Sequence, residues 1–217
     1  MIHKFDLVMS LYIFGVLTAE LLGAKTVTVV HVGSLQVSAS VAIIVMPLLF
    51  TLTDVVVEVL GKHRARSMVW CGLVCAVLLA AYSTLATHLP PSPRFAPSET
   101  AYDAVFGASA RIALASLVAF GVSELLDVAV FAKLREHLHD RALWFRNNVS
   151  NFAAQLADSV VFVTLAFYSF SHSPASNAGF LLGLILPYWL LRCGLSVLET
   201  PFVYAGVAWL RRGGPKR

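Results

Sequence analysis

Charge is scarce in this 217-residue chain: Asp, Glu, Lys and Arg together make up 13% of it, against 58% hydrophobic residues. A globular domain averages about 25% charged and roughly 45–50% apolar residues. The shortage excludes an ordinary soluble domain and places the chain among polytopic membrane proteins, in keeping with its mean hydropathy of +0.77. Cysteine is scarce too, and three residues make no disulfide framework. Cys71 and Cys75 lie one turn apart, a spacing that could hold a soft metal, but on an apolar segment they read as small packing residues. No glycine-rich phosphate loop, nucleophile elbow or HExxH signature occurs, so nucleotide-driven and hydrolytic chemistries lack their sequence marks. The net charge of +4 and pI near 9.1 do not indicate nucleic acid, because the basic residues are not gathered into one patch. His137 and His139 fall in a polar loop and read as solvated rather than metal-bound.

What is present is a series of long apolar runs. Spanning the hydrocarbon takes about 20 mainly apolar residues, and six such runs are found, over 5–23, 38–59, 66–88, 104–131, 147–170 and 178–209. The expected fold is therefore an all-α integral membrane protein, one domain over 1–217, with six transmembrane helices. Asp6 and Glu20 interrupt the first run and no small-x-small cleavage site follows, so it reads as a retained helix rather than a removed signal. Residues 25–37 are β-branched with a Gly-Ser break, and either an extended element or a re-entrant piece would suit them. The stretch 88–99 is too rich in proline to be helical throughout. Lys4, Lys62, Arg64, Arg66, Lys133, Arg135, Arg141, Arg146, Arg211, Arg212, Lys216 and Arg217 all fall on one side of a six-span arrangement, and only Lys25 and Arg94 on the other. The positive-inside rule then puts both termini in the cytoplasm. The Asn148-Val149-Ser150 sequon begins on that side, where glycosylation does not occur. Trp70, Trp144 and Trp209 fit an interfacial belt.

The spans nonetheless contain Glu20, Asp54, Glu58, Glu124, Asp127, Asp158 and Glu199, with Arg111 and Arg192. Each charge at a helix centre costs about 2.5–3.5 kcal/mol on the insertion scale, so such residues face the bundle interior and mark substrate or ion pathways. Helical periodicity arranges them in stripes. Asn148, Asn151, Gln155 and Asp158 share one face; Pro47, Thr51, Asp54 and Glu58 share another. Tyr188, Arg192, Ser196 and Glu199 form a third, and Glu124 and Asp127 are one turn apart. Four polar stripes are best accommodated by one central cavity. At about 1.5 Å per residue from the nearest cytoplasmic Lys or Arg, Asp127 lies roughly 9 Å deep, Asp54 about 12 Å, and Asp158 and Glu199 about 18 Å. Arg111 sits about 140° around its helix from Glu124 and need not line the same wall. Two other readings fit the stripes. Asp54, Glu58, Glu124 and Asp127 could form a metal-binding carboxylate cluster of an intramembrane enzyme, or the polar groups could simply join helices.

Arg146-Asn147-Asn148-Val149-Ser150 followed by Gln155-Leu156-Ala157-Asp158-Ser159 and Phe162 resembles the diagnostic segment of the queuosine precursor transporter family, also called the vitamin uptake transporter family. Other pieces resemble it in order: Pro47, Thr53-Asp54 and Glu58 with Gly61 and Ala65-Arg66; Ala110-Arg111-Ile112 and Leu125-Leu126-Asp127-Val128; Thr200-Pro201 with Tyr204. Glu124 stands where the family has glutamine, and Arg192 where it has lysine. The resemblance implies an importer, not an enzyme, resident in a bacterial inner membrane. It would take up 7-cyano- or 7-aminomethyl-7-deazaguanine for tRNA queuosine salvage, or another vitamin or nucleobase-like molecule on the same fold. The reading is a secondary carrier without cofactor or bound metal, its partners the deazaguanine and the bilayer, with coupling to a proton or ion and a homo-oligomer both left open. The substrate-binding set expected is Asp54, Glu58, Glu124, Asp127, Asn148, Asn151, Gln155, Asp158, Arg192 and Glu199. Carboxylates would accept from the ring N–H and exocyclic amine, amides and Arg192 would donate to the carbonyl, and Glu58 or Glu124 could carry a proton. The stacking aromatic would come from Tyr188, Phe50, Phe120 or Phe162.

Overall fold

The computed structural model describes residues 3–23, 25–32, 35–107, 110–138, 142–169 and 173–211. Helix α1 (Lys4–Leu22) leads into strands β1 (Thr26–Val32) and β2 (Leu35–Ser40), which pair antiparallel from Thr26 opposite Ser40 to Val32 opposite Leu35. A one-turn 3₁₀ helix (Val41–Ile44) then gives way to α2 (Met46–Leu60) and α3 (Lys62–Thr87). Helices α4 (Glu99–Phe106), α5 (Ala110–Leu138), α6 (Leu143–Phe167) and α7 (Pro174–Arg211) complete the chain.

The β-branched segment after α1, open between an extended and a re-entrant element, forms a hairpin beside the helical bundle. One expectation is corrected: the second apolar run is not one helix over 38–59. The strand persists to Ser40, whose hydroxyl donates to the Gly23 carbonyl at 2.6 Å and accepts from the Ala42 N–H at 3.1 Å, fixing a turn there. Pro47 lacks an N–H and is best tolerated in the first turn of a helix, which is where α2 begins. The 15 residues of α2 rise roughly 22 Å, less than the roughly 30 Å of a hydrocarbon core. Among the described residues, five other segments are long and apolar enough to cross a membrane: α1, α3, Leu114–Leu138 of α5, α6, and Asn177–Arg211 of α7.

Helix α2 is the hub. It packs against α1, α3, α5 and α7, and every residue from Leu52 to Glu58 is buried. Its neighbours come close because they offer small residues, the usual device where lipid gives no hydrophobic drive to association. A Cβ on Gly206 of α7 would lie 2.7 Å from Val55 Cγ2, and one on Gly15 of α1 would lie 2.7 Å from Leu49 Cδ2; between α3 and α1, a Cβ on Gly72 would lie 2.7 Å from the Tyr12 ring. Between α2 and α3 the chain reverses at Gly61, whose φ of 86° suits glycine. Ala142, ahead of α6, takes the left-handed φ of 56°. Around this centre the polarity of a soluble protein is inverted. Leu198 is 70% exposed while its neighbour Glu199 is 3% exposed, which puts the carboxylate inside and the apolar side chain toward lipid.

The bundle has two distinguishable ends. Lys4 at the start of α1 donates to the Trp209 carbonyl near the end of α7, and Lys62 at the start of α3 meets Glu136 near the end of α5 at 3.3 Å. We term this the basic end and the opposite one the hairpin end.

Candidate functional site

Inside the bundle the polar side chains form three connected layers. At the basic end Glu58 on α2 meets three arginines on three helices, accepting from two of them. Arg211 of α7 reaches its Oε1 at 2.8 Å, Arg146 of α6 its Oε2 at 3.0 Å, and Arg135 of α5 lies 3.4 Å from the same oxygen. Arg135 also donates to the Val57 carbonyl at 2.9 Å, and the fully buried Arg146 guanidinium stands 5.4 Å from the centre of the Phe131 ring.

One turn further in, α6 and α7 are joined by amides and hydroxyls. Asn148 donates to Thr200 Oγ1 at 3.0 Å and to its own helix at the Trp144 carbonyl, 2.8 Å away; Asn147 approaches Thr200 at 3.4 Å. Asn151 donates to Glu199 Oε1 at 2.7 Å and stands 3.5 Å from Asp54 Oδ2, linking α6, α7 and α2. Those donations also fix which Asn151 atom is nitrogen, so its oxygen is left as an acceptor.

The third layer holds the carboxylates. Asp54 is within electrostatic reach of Asp127, Glu199 and Glu124. Glu124 Oε2 accepts from the Tyr12 hydroxyl and from Thr53 Oγ1, each at 3.0 Å, which brings α1 and α2 onto α5. Asp158 pairs with Arg192 and lies 3.5 Å from Ser123 Oγ. The Arg192 guanidinium stands 5.3 Å from the centre of the Tyr188 ring. A narrow cavity with about 10 Å³ of water-accessible room adjoins this layer on the hairpin side, a space of about one water molecule. Pro47, Phe50, Gln155, Arg192, Ser196 and Glu199 line it with Ile43, Met46 and Leu195.

Most buried polar groups in proteins are paired, and here many are not. Asp54 Oδ1, Glu124 Oε1, both Asp127 oxygens, Asn151 Oδ1, Gln155 Oε1 and Glu199 Oε2 have no hydrogen-bond partner among the described residues. All are oxygens, and apart from the Ser196 and Ser159 hydroxyls the unpartnered donor of this layer is Arg192 Nε. Unpaired buried acceptors each cost about 1–3 kcal/mol, so the layer is chemically incomplete. Protons on the carboxyls, water, or a ligand with several N–H groups or a positive charge would match these oxygens.

The structure therefore gathers Asp54, Glu124, Asp127, Asn151, Gln155 and Glu199 in one region, with the Asp158–Arg192 pair alongside. Asn148 is turned to Thr200 in the layer below, and Glu58 is engaged by arginines at the basic end. Phe50 lines the cavity, whereas Phe162 packs in a satellite cluster with Val163, Leu181 and Ile185. The side chain of Arg111 and the whole of His139 lie outside the described part of the structure. No group of three His, Cys, Asp or Glu able to hold a metal occurs among the described residues, so the metal-cluster reading gains no support. Sequence reasoning missed Tyr12, an ordinary residue of an apolar helix, and took Thr53 and Thr200 only as parts of family motifs. It also took Arg135 and Arg211 only as markers of orientation.

Comparison with known proteins is consistent with this architecture. Residues 40–206 match the family described as "Putative vitamin uptake transporter". A "Probable queuosine precursor transporter" of Bacillus subtilis (strain 168) is 30% identical over 193 residues, 88% of this chain and 80% of the relative. A protein of the same description from Haemophilus influenzae is 33% identical over 125 residues, 56% of this chain and 49% of its own. The "Queuosine precursor transporter" of Escherichia coli (strain K12) is 28% identical over 122 residues, 56% of this chain and 52% of its own. No solved structure matches the chain. With a family match over most of its length and a bundle that carries its acids inside and its leucines outside, the chain is a multi-pass membrane protein belonging to the vitamin uptake transporter family.

Proposed function

We propose that the protein imports a queuosine precursor, a 7-deazaguanine carrying a cyano or aminomethyl group, as a secondary carrier of a bacterial inner membrane. The observation that carries this reading is the excess of unpartnered acceptor oxygens on Asp54, Glu124, Asp127, Asn151, Gln155 and Glu199. The base edge of a deazaguanine presents ring N–H and amino donors to carboxylates in a paired geometry, and its one carbonyl suits a guanidinium N–H such as that of Arg192. An aminomethyl substituent adds a cation, which an acid-rich layer stabilises further. The names carried by the relatives point to the same substrate class.

In this reading α1, α3, α5, α6 and α7 span the bilayer and α2 completes a sixth crossing with the turn before it. The basic end faces the cytoplasm, following the distribution of Lys and Arg. The narrowness of the cavity fits an occluded state, and a base enters only after the hairpin end opens around Pro47 and Phe50. Movement of a proton or ion with the substrate would supply the energy, since the sequence holds no nucleotide-binding motif.

The test is rescue. A bacterium unable to make or import queuosine precursors is given the gene and fed 7-aminomethyl-7-deazaguanine, and its tRNA is analysed for queuosine. Modified tRNA is expected with the wild-type chain and not with Asp158→Asn, which strips Arg192 of its partner. Absence of queuosine with the well-expressed wild type, both on this feed and on 7-cyano-7-deazaguanine in a parallel culture, refutes the substrate assignment.

A further inference from the structure

Glu58 differs from every other interior acid among the described residues in meeting three cations; Asp158, whose oxygens face Arg192 and Ser123, meets one. Arg211 takes Oε1, and Arg146 and Arg135 take Oε2. Three guanidiniums from α5, α6 and α7 thus converge on one carboxylate from α2, and Glu58 itself is 3% exposed. No group is left on it for a ligand, whereas Asp54 one turn away retains an unpartnered oxygen. The cavity lies on the other side of the carboxylate layer, among the first residues of α2. Between it and the basic end the interior is crossed first by the Asn148–Thr200 contact and then by the Glu58 cluster, with Arg146 covering Phe131. Any molecule leaving by the basic end must pass between the helices that Glu58 ties together.

We propose that Glu58, Arg135, Arg146 and Arg211 are the gate of the basic end, and that Glu58 acts by holding four helices shut rather than by touching substrate. The assignment rests on the protein being a carrier. The arrangement suits a gate because it is removable. Its contacts are side-chain ion pairs near helix ends, and Arg211 is 53% exposed, so water can take over its charge as the helices part. Breaking it opens a path lined by Asn147, Asn148 and Ser150, all buried polar residues able to face water. The cluster carries three positive charges against one negative, so the shared carboxylate is the counter-charge that draws the arginines together.

Accessibility to a thiol reagent tests this without reference to substrate. With Cys71, Cys75 and Cys193 replaced, a reporter is placed at Ser150→Cys, just inside the gate, or at Ser196→Cys, on the cavity. Each is treated with a small cationic methanethiosulfonate in the purified full-length protein. Glu58→Gln is expected to speed labelling of the reporter at 150 by about tenfold, in the range of a local opening, and to leave that at 196 unchanged. Arg211→Ala, a change at a half-exposed helix end, is expected to give a smaller rise at 150 alone and serves by itself where Glu58→Gln does not fold. No acceleration at 150, or equal acceleration at both positions, overturns the gate. Binding of deazaguanine measured on the same samples separates the two claims: retained binding with unaltered labelling refutes the gate and spares the substrate assignment.

Discussion

Glu124 is held from two sides, by the Tyr12 hydroxyl and by Thr53, and keeps one oxygen unpartnered. Its role is thus divided between positioning and binding, and the two can be separated experimentally. Tyr12→Phe keeps the ring against Gly72 and deletes the donor; it should lower stability by about 0.5–2 kcal/mol, the span seen for hydrogen bonds within membranes. A thermal melt in detergent measures it, and an unchanged midpoint would show that the Glu124 contact contributes nothing. Leu198 and Glu199 offer a second contrast at neighbouring positions. Leu198→Ala faces lipid and should leave ligand affinity as it was, whereas Glu199→Gln should weaken it severalfold, since an acceptor facing the ligand becomes in part a donor. A binding titration of the two variants checks both. At this scale the sequence was informative wherever polar residues recurred at helical spacing, as with Asn151, Gln155 and Asp158. It could not separate Glu58 from Asp54. Both lie on one face of α2, and the roughly 6 Å of rise between them decides which meets arginines and which meets other acids. The arginines that settle it come from three other helices.

Among the elements, α2 has the greatest influence on the site, because it supplies Thr53, Asp54 and Glu58 to different layers and is enclosed by four other helices. Its contact with α7 depends on Gly206, so Gly206→Val should force the helices apart at Val55, and a loss of both thermal stability and ligand binding is expected. A variant that melts and binds like wild type would mean the helices are free to separate at that point. At the start of α6, Ala142 occupies a conformation that costs a non-glycine residue roughly 1–2 kcal/mol, so Ala142→Gly should raise the melting temperature by a few degrees. Helix positions were legible in outline because apolar length is a strong signal. The boundaries of α2 were not. Val41 to Met46 are as hydrophobic as the body of the helix, and only the Ser40 contacts with Gly23 and Ala42 show that the chain turns there before α2 begins. The hairpin of β1 and β2 was left open for the related reason that β-branched residues suit an extended strand and a membrane helix alike.

For the whole molecule, what matters is where the charge sits. Five carboxylates occupy the interior beyond the gate, at Asp54, Glu124, Asp127, Asp158 and Glu199, and Arg192 is the basic residue that the structure places among them. Such an interior stays folded in a membrane only with cations, protons or N–H donors to match it. The lipid-facing surface needs no charge, so charge is scarce in the composition and the acids within the spans lie inside. The claim that this interior recognises a 7-deazaguanine is tested most directly by calorimetric titration of 7-aminomethyl-7-deazaguanine into the full-length protein in lipid nanodiscs, beside the Asp127→Asn variant. Saturable binding to the wild type is predicted, weakened by tenfold or more in the variant, a loss of about 1.4 kcal/mol. No saturable binding to folded wild-type protein, or equal affinity in the variant, would contradict it.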